Sequence, residues 1–291
     1  MTKLRVGKIP YANLFPIFHT LQTECDCRNY EFIDGHPSEL NAALREGLID
    51  ISISSSVLYL KEKDAYSFLE GHSVSSKGPV ESILLLTRQP IEALDRAEVF
   101  VTHQSETSPV LLDVILREFY GINASLKITR LPLKEAVHSH SAYLAIGDSA
   151  LIAKGKARRI EMEIPLRGYT LGMLDNQVFY IYDLGMLWQM HTALPFVYAL
   201  WIYKKDTAKE KAALLEGFKA DLDKATGLAL GNLPEIAEAS GMKDIMGVKN
   251  LLVYWRGISY GLDEEHLKGL ELFGKYAGLL PKPAENIPEG T

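Results

Sequence analysis

Ile49, Ile51 and Ile53 alternate with Asp50, Ser52 and Ser54, a period of two that marks a β-strand. Directly ahead of them Leu40, Ala43, Leu44 and Leu48 fall on one helical face. Pro37 stands in that helix's first turn, where it forfeits no hydrogen bond, and Gly47 supplies a left-handed cap. Residues 4–9 and 30–33 read as two earlier strands. Short strands separated by helices favour parallel pairing through right-handed crossovers.

The rhythm then repeats. Residues 81–87 form an apolar run broken by Arg88-Gln89-Pro90, and 98–102 is the next strand. Residues 105–120 read as a helix with Ser108 as N-cap and Pro109 in its first turn; Gly121 ends it. Strands at 126–131 and 142–146 follow, the second running into Gly147-Asp148. Units of this kind build parallel sheets with binding sites at the C-terminal ends of the strands. The last third changes character. Thr207-Ala208-Lys209-Glu210 reads as a capping box for a helix whose apolar face is Leu214, Leu215, Phe218 and Leu222. Helical patterns at 233–239, 244–254 and 263–276 follow with no strand between them, so they pack on a sheet already built. The tail from Pro281 holds three prolines and reads as extended.

At 291 residues the chain has room for roughly two domains. Its net charge is −6 and no segment carries a basic excess, which argues against nucleic acid as a partner. A small anion remains compatible, because a local cleft differs from the whole surface. Cys25 and Cys27 are too close for an unstrained disulfide and read as reduced thiols. No apolar signal core precedes Leu4, and the expectation is a cytoplasmic protein. Residues 184–203 are apolar, but Gln189, His191, Thr192 and Pro195 interrupt them, so a buried strand-and-loop segment is expected and no membrane span. No glycine-rich nucleotide loop or nucleophile elbow occurs, and His138 and His140 lack partners at metal-ligand spacing. No cofactor and no metal are expected. A homodimer is compatible with the sequence.

Three loops follow strands and are rich in small donors: 10–13, the Ser54-Ser55-Ser56 run, and 104–108, where helix N-terminal amides can receive an anion. With Gly78-Pro79-Val80-Glu81-Ser82 nearby, they suit a cleft that holds carboxylates without a permanent charge. Taken singly, each is ordinary turn and cap chemistry. Asp148 and Asp183 read as helix caps or buried acceptors.

The opening Gly7-Lys8-Ile9-Pro10-Tyr11-Ala12-Asn13-Leu14-Phe15-Pro16 resembles the start of the chorismate dehydratases, enzymes of menaquinone biosynthesis by the futalosine pathway. The resemblance continues through Pro37-Ser38-Glu39-Leu40-Asn41, Gly47 to Ser55, Gly78 to Ser82 and Glu106-Thr107-Ser108. It ends at Leu144 to Asp148 and between Asp183 and Ala199. Pro10 departs from the residue that the family often carries there. The resemblance implies a type II periplasmic-binding-protein-like α/β fold, two α/β lobes with a ligand cleft between them. Lobe 1 would comprise residues 1–88 and 199–291, and lobe 2 residues 89–198, with crossings near 87–90 and 195–199.

It also implies site residues. Asn13 would orient a substrate oxygen, and Ser82 would hydrogen-bond the enolpyruvyl carboxylate of chorismate. Tyr11, Val80 and Asp148 lie in the same blocks and join the substrate-binding set. Thr107 and Ser108, at a helix start, are expected to hold one carboxylate, with Ser55 and Ser56 the candidates for the other. Three functions fit such a chain. The first is a hydro-lyase that removes water from chorismate to give 3-[(1-carboxyvinyl)oxy]benzoate. The second is the 1,4-dihydroxy-6-naphthoate synthase type of the same pathway, whose usual opening loop Ile9 to Asn13 fits less well. The third is a non-catalytic solute-binding protein for a small carboxylate.

Overall fold

A computed structural model of the chain describes residues 3–160 and 168–280. The strands are β1 (Leu4–Lys8), β2 (Tyr30–Asp34), β3 (Ile51–Ser55), β4 (Tyr66–Ser76), β5 (Ile83–Thr87), β6 (Glu98–Thr102), β7 (Ser125–Thr129), β8 (Ala142–Ile146), β9 (Arg158–Arg159), β10 (Tyr169–Leu174), β11 (Gln177–Asp183), β12 (Phe196–Lys204) and β13 (Ser259–Gly261). They form two sheets, one six-stranded with the order β13-β4-β12-β3-β1-β2 and one seven-stranded with the order β7-β6-β8-β5-β11-β10-β9. Each sheet carries a lobe.

The two sheets are built alike. In the first, β2, β1 and β3 are parallel, and β12 runs antiparallel to β3. In the second, β7, β6 and β8 are parallel, and β5 runs antiparallel to β8. Both antiparallel strands are the ones that have just arrived from the other lobe. The strand–helix units predict the parallel trios; the arriving strands make both sheets mixed.

Sheet membership also moves the lobe boundary. Arg88-Gln89-Pro90 ends β5 inside the second sheet, so the outward passage lies between Ser76 and Ile83. The apolar run around Leu84 and Leu86 is core of the second lobe on both faces, which a one-dimensional break cannot show. On the return, β12 enters the first sheet at Phe196, ahead of residue 199.

Several local expectations are corrected as well. Residues 184–203 are not strand and loop: Leu184–Thr192 is a helix, capped by the Asp183 carboxylate, and β12 follows it. The expected capping box at 207–210 is replaced by two helices, Lys205–Glu210 and Ala212–Gly231. The chain leaves helical geometry at Lys211, whose ammonium docks 2.7 Å from the buried Asp50 carboxylate beside Arg5. Among the C-terminal helices, β13 adds an edge strand to the first sheet. β4, β10 and β11 also go unmarked by hydrophobic periodicity; in β4, Ser67, Gly71, Ser73 and Ser75 occupy alternate positions. The proline tail from Pro281 lies outside the described residues. No helix among the described residues is long and apolar enough to cross a membrane.

Candidate active site

Four loops at the C-terminal ends of parallel strands face one another across the gap between the lobes, as α/β topology requires. Tyr11 and Asn13 follow β1, Ser55 ends β3, the segment 105–108 follows β6, and Gly147 follows β8. The outward crossing contributes Val80 and Ser82, and the return strand contributes Tyr198. Together they enclose a cavity of about 100 Å³.

Of the nine residues expected at the site, seven line this cavity: Tyr11, Asn13, Ser55, Val80, Ser82, Thr107 and Ser108. Ser56 and Asp148 do not. Ser56 is fully buried one layer back, its hydroxyl 3.5 Å from that of Thr107 in the opposite lobe. Asp148 sits behind the opening loop and accepts the Ala12 N–H at 3.0 Å. The β-strand and helix patterns place both residues at strand ends; only packing decides which face reaches the cavity. Tyr198, Ser105, Glu106 and Gly147 line it too. Gly147 stands directly after β8, Ser105 and Glu106 stand on the third donor-rich loop, and Tyr198 lies in the last of the resemblance blocks.

The helix at the third loop is shorter than its sequence pattern. It spans Thr107–Val114 and passes into a wider turn at Ile115–Phe119. Ser108 is inside it and not its N-cap; the Ser108 N–H donates to Ser105 Oγ at 3.1 Å. The Thr107 hydroxyl donates to the Tyr198 carbonyl at 3.2 Å, a contact between lobes.

The opening loop is fixed from below. Trp255 Nε1 donates to the Ala12 carbonyl at 2.8 Å, and the Tyr260 hydroxyl donates to the Asn13 carbonyl at 2.5 Å. With its backbone held this way, Asn13 turns its side chain to the cavity, and Asn13 Oδ1 is buried without a hydrogen-bond partner. Such an atom costs free energy unless a ligand donor meets it. Tyr11 packs its ring against Gly147, where φ is +59° and an added Cβ would lie 3.3 Å from the ring. Burial, with help from Asp148 and Glu39, pushes the Tyr11 hydroxyl up to about 12. Tyr198 is shifted well above the ordinary tyrosine value by burial and then by Asp183. Both phenols are therefore proton-bearing donors at neutral pH and not bases. The Ser82 hydroxyl makes a long 3.3 Å bond to the Val80 carbonyl.

The crossings are joined by one carboxylate. Asp183 accepts N–H bonds from Val80 at 3.0 Å and Glu81 at 2.6 Å on the outward passage, and from Gly185 at 2.9 Å and Met186 at 3.1 Å on the return. Glu81 adopts a left-handed φ of 62°, and its side chain pairs with Lys154 at 2.9 Å. Backbone strain of this kind persists only where neighbours over-determine it. The result aims Val80 and Ser82 into the cavity. Among the described residues no group of three or more His, Cys, Asp or Glu is arranged to hold a metal ion.

The model of a family described as menaquinone biosynthesis matches residues 4–278. The chain belongs to this menaquinone-biosynthesis family. It is homologous to the chorismate dehydratase of Thermus thermophilus, with 32% identity over 276 residues, 94% of this chain and 95% of that protein. Among solved structures, protein AF1704 from Archaeoglobus fulgidus superposes with a TM-score of 0.66 at 16% identity, covering 96% of this chain and 98% of the other. The Candida albicans CA3427 product, described as having the generic periplasmic binding protein fold, gives 0.61 at 11% identity over 97% and 92%. At such identities these two likenesses show the fold alone. For this family member they bear out the two-lobe, binding-protein-like architecture that the resemblance implied.

Proposed function

We propose that this family member is a hydro-lyase that removes water from chorismate to give 3-[(1-carboxyvinyl)oxy]benzoate. The observation that carries the reading is the buried, unpartnered Asn13 Oδ1 in a cavity that also presents the hydroxyls of Tyr11, Ser55, Ser82, Thr107 and Ser108, in a homologue of chorismate dehydratase. In the reaction a C–O bond to the ring hydroxyl breaks, and the neighbouring carbon bearing the enolpyruvyl ether loses its proton. The two C–H electrons enter the ring, which becomes aromatic, and hydroxide and proton leave as water. Aromatisation supplies the driving force, so the protein needs chiefly to orient the substrate and assist the leaving hydroxyl.

Asn13 is suited to that hydroxyl: its amide nitrogen donates to the departing oxygen, and its Oδ1 accepts a hydrogen bond from the substrate that fixes the orientation. Ser82 exchanges its long bond to Val80 for a bond to the enolpyruvyl carboxylate. In this reading the substrate's own enolpyruvyl carboxylate takes the proton from the ring carbon and passes it to the departing hydroxide, which leaves as water. The amide and hydroxyl groups of residues 105–108 and Ser55 are placed to receive the carboxylates.

The test mixes the purified protein with chorismate and follows loss of one water by mass spectrometry and the rise of aromatic absorbance. Asn13→Ala and Ser82→Ala should each lower turnover at least about tenfold in a folded protein, as for loss of one preorganised donor. Chorismate that binds and returns unchanged would instead make the chain a carboxylate-binding protein.

A further inference from the structure

Glu106 lines the cavity from the second lobe, immediately before the helix Thr107–Val114, yet it is gripped from the first. Asn41 Nδ2 donates to Glu106 Oε1 at 2.9 Å, and Arg45 Nη2 lies 3.4 Å from Glu106 Oε2. The two donors are four residues apart on the helix Pro37–Glu46 and so share a face. Asn41 is fully buried between Leu40 and Leu44, and its Oδ1 has no partner. Burying an amide with half its hydrogen bonds unmade is unfavourable, and packing alone favours an apolar residue there. What the amide gains is Glu106. Arg45 also reaches Glu62 at 3.0 Å, so one guanidinium stands between two carboxylates.

A bare carboxylate in the wall of this cavity opposes an anionic ligand, and most strongly one with two negative charges. We propose that Asn41 and Arg45 are positioning residues that hold and neutralise Glu106, and thereby set the specificity of the cleft for a dicarboxylate. The inference rests on the chorismate reading. Because the grip runs from lobe to lobe, Glu106 is compensated where the two lobes meet.

Steady-state turnover of chorismate tests it in the full chain, Arg45→Met, Glu106→Gln and the double variant. Arg45→Met should raise KM about tenfold while kcat stays within about twofold, the effect of one uncompensated charge near the ligand. Adding Glu106→Gln should return KM to within about threefold, since Gln still accepts from Asn41 and carries no charge. Arg45→Lys, which keeps the charge, should stay within about threefold as well. Should Arg45→Met fail to fold, Asn41→Asp sets a second carboxylate against Glu106 and should raise KM in the same reversible way. A merely structural role for Arg45 predicts a loss that Glu106→Gln does not repair. An unchanged KM in Arg45→Met, or a raised KM without rescue, overturns the inference alone. Chorismate left unchanged by the parent chain overturns the chorismate reading, and this inference with it.

Discussion

The two lobes are connected in two ways, and the connections differ in kind. At the crossings, the Asp183 carboxylate gathers four backbone N–H groups from both passages. Gly185 approaches so closely that an added Cβ would lie 2.5 Å from both the Gly78 carbonyl and the Tyr198 hydroxyl. Beside them Trp188 packs edge-on to Phe196 and Phe273. Elsewhere the lobes are bridged by separate polar contacts: Asp148 to the Ala12 N–H, Glu106 to Asn41 and Arg45, and Thr107 to the Tyr198 carbonyl. The crossings are over-determined, whereas each bridge rests on one to three side-chain bonds. Buried backbone donors that share an acceptor fail together; isolated side-chain bonds can be lost one at a time. A hinge with fixed aim and a separable set of bridges is what opening and closing on a ligand require.

Breaking the hinge should have the largest effect. Asp183→Ala leaves four buried N–H groups without their acceptor, and at about 1–3 kcal/mol each the expected loss is about 4 kcal/mol or more in urea unfolding. A loss below about 1 kcal/mol would erase the contrast between crossings and bridges. Next comes Gly185→Ala. Its methyl group must displace the Gly78 carbonyl or Tyr198, which should cost about 2 kcal/mol and lower turnover by shifting Val80 and Ser82.

The smallest effect is expected at the Asp148 bridge. Burial raises the Asp148 carboxyl above the usual carboxylate range, against the lowering by the Ala12 N–H. The folded chain therefore holds this proton more tightly than the unfolded chain. The group's contribution to stability falls as pH rises through the ordinary carboxylate range towards the raised value, and is constant above it. Asp148→Asn keeps an acceptor for Ala12 and removes the charge. The variant should gain stability over the parent at neutral pH, and the gain should vanish in acid below the ordinary carboxylate range. Denaturant midpoints across that pH interval check the sign; a gain that grows in acid would refute it.

The parallel trios of both sheets are legible in the amino-acid sequence, since strand, helix and strand alternate in residues 4–53 and again in residues 98–146. Its donor-rich loops also carried much of the cavity lining, because loops after parallel strands converge in folds of this class, and Tyr11, Asn13, Ser55, Thr107 and Ser108 stand on such loops. The parts given to Tyr11 and Asn13 came from the family resemblance. Family blocks added Val80 and Ser82. Tertiary structure alone decided the rest. Whether the run at 83–87 belongs to the first or the second sheet depends on pairing with β8, sixty residues away, and local pattern carries no record of that partner. Asp183 reads as a helix cap in one dimension and is one, but its bonds to Val80 and Glu81 join segments a hundred residues apart. Ser56 and Asp148 fall out of the cavity and Glu106 falls into it by the rotation of a strand end or a helix start. A turn of one residue exchanges wall for core, and only the packing of two lobes fixes that rotation.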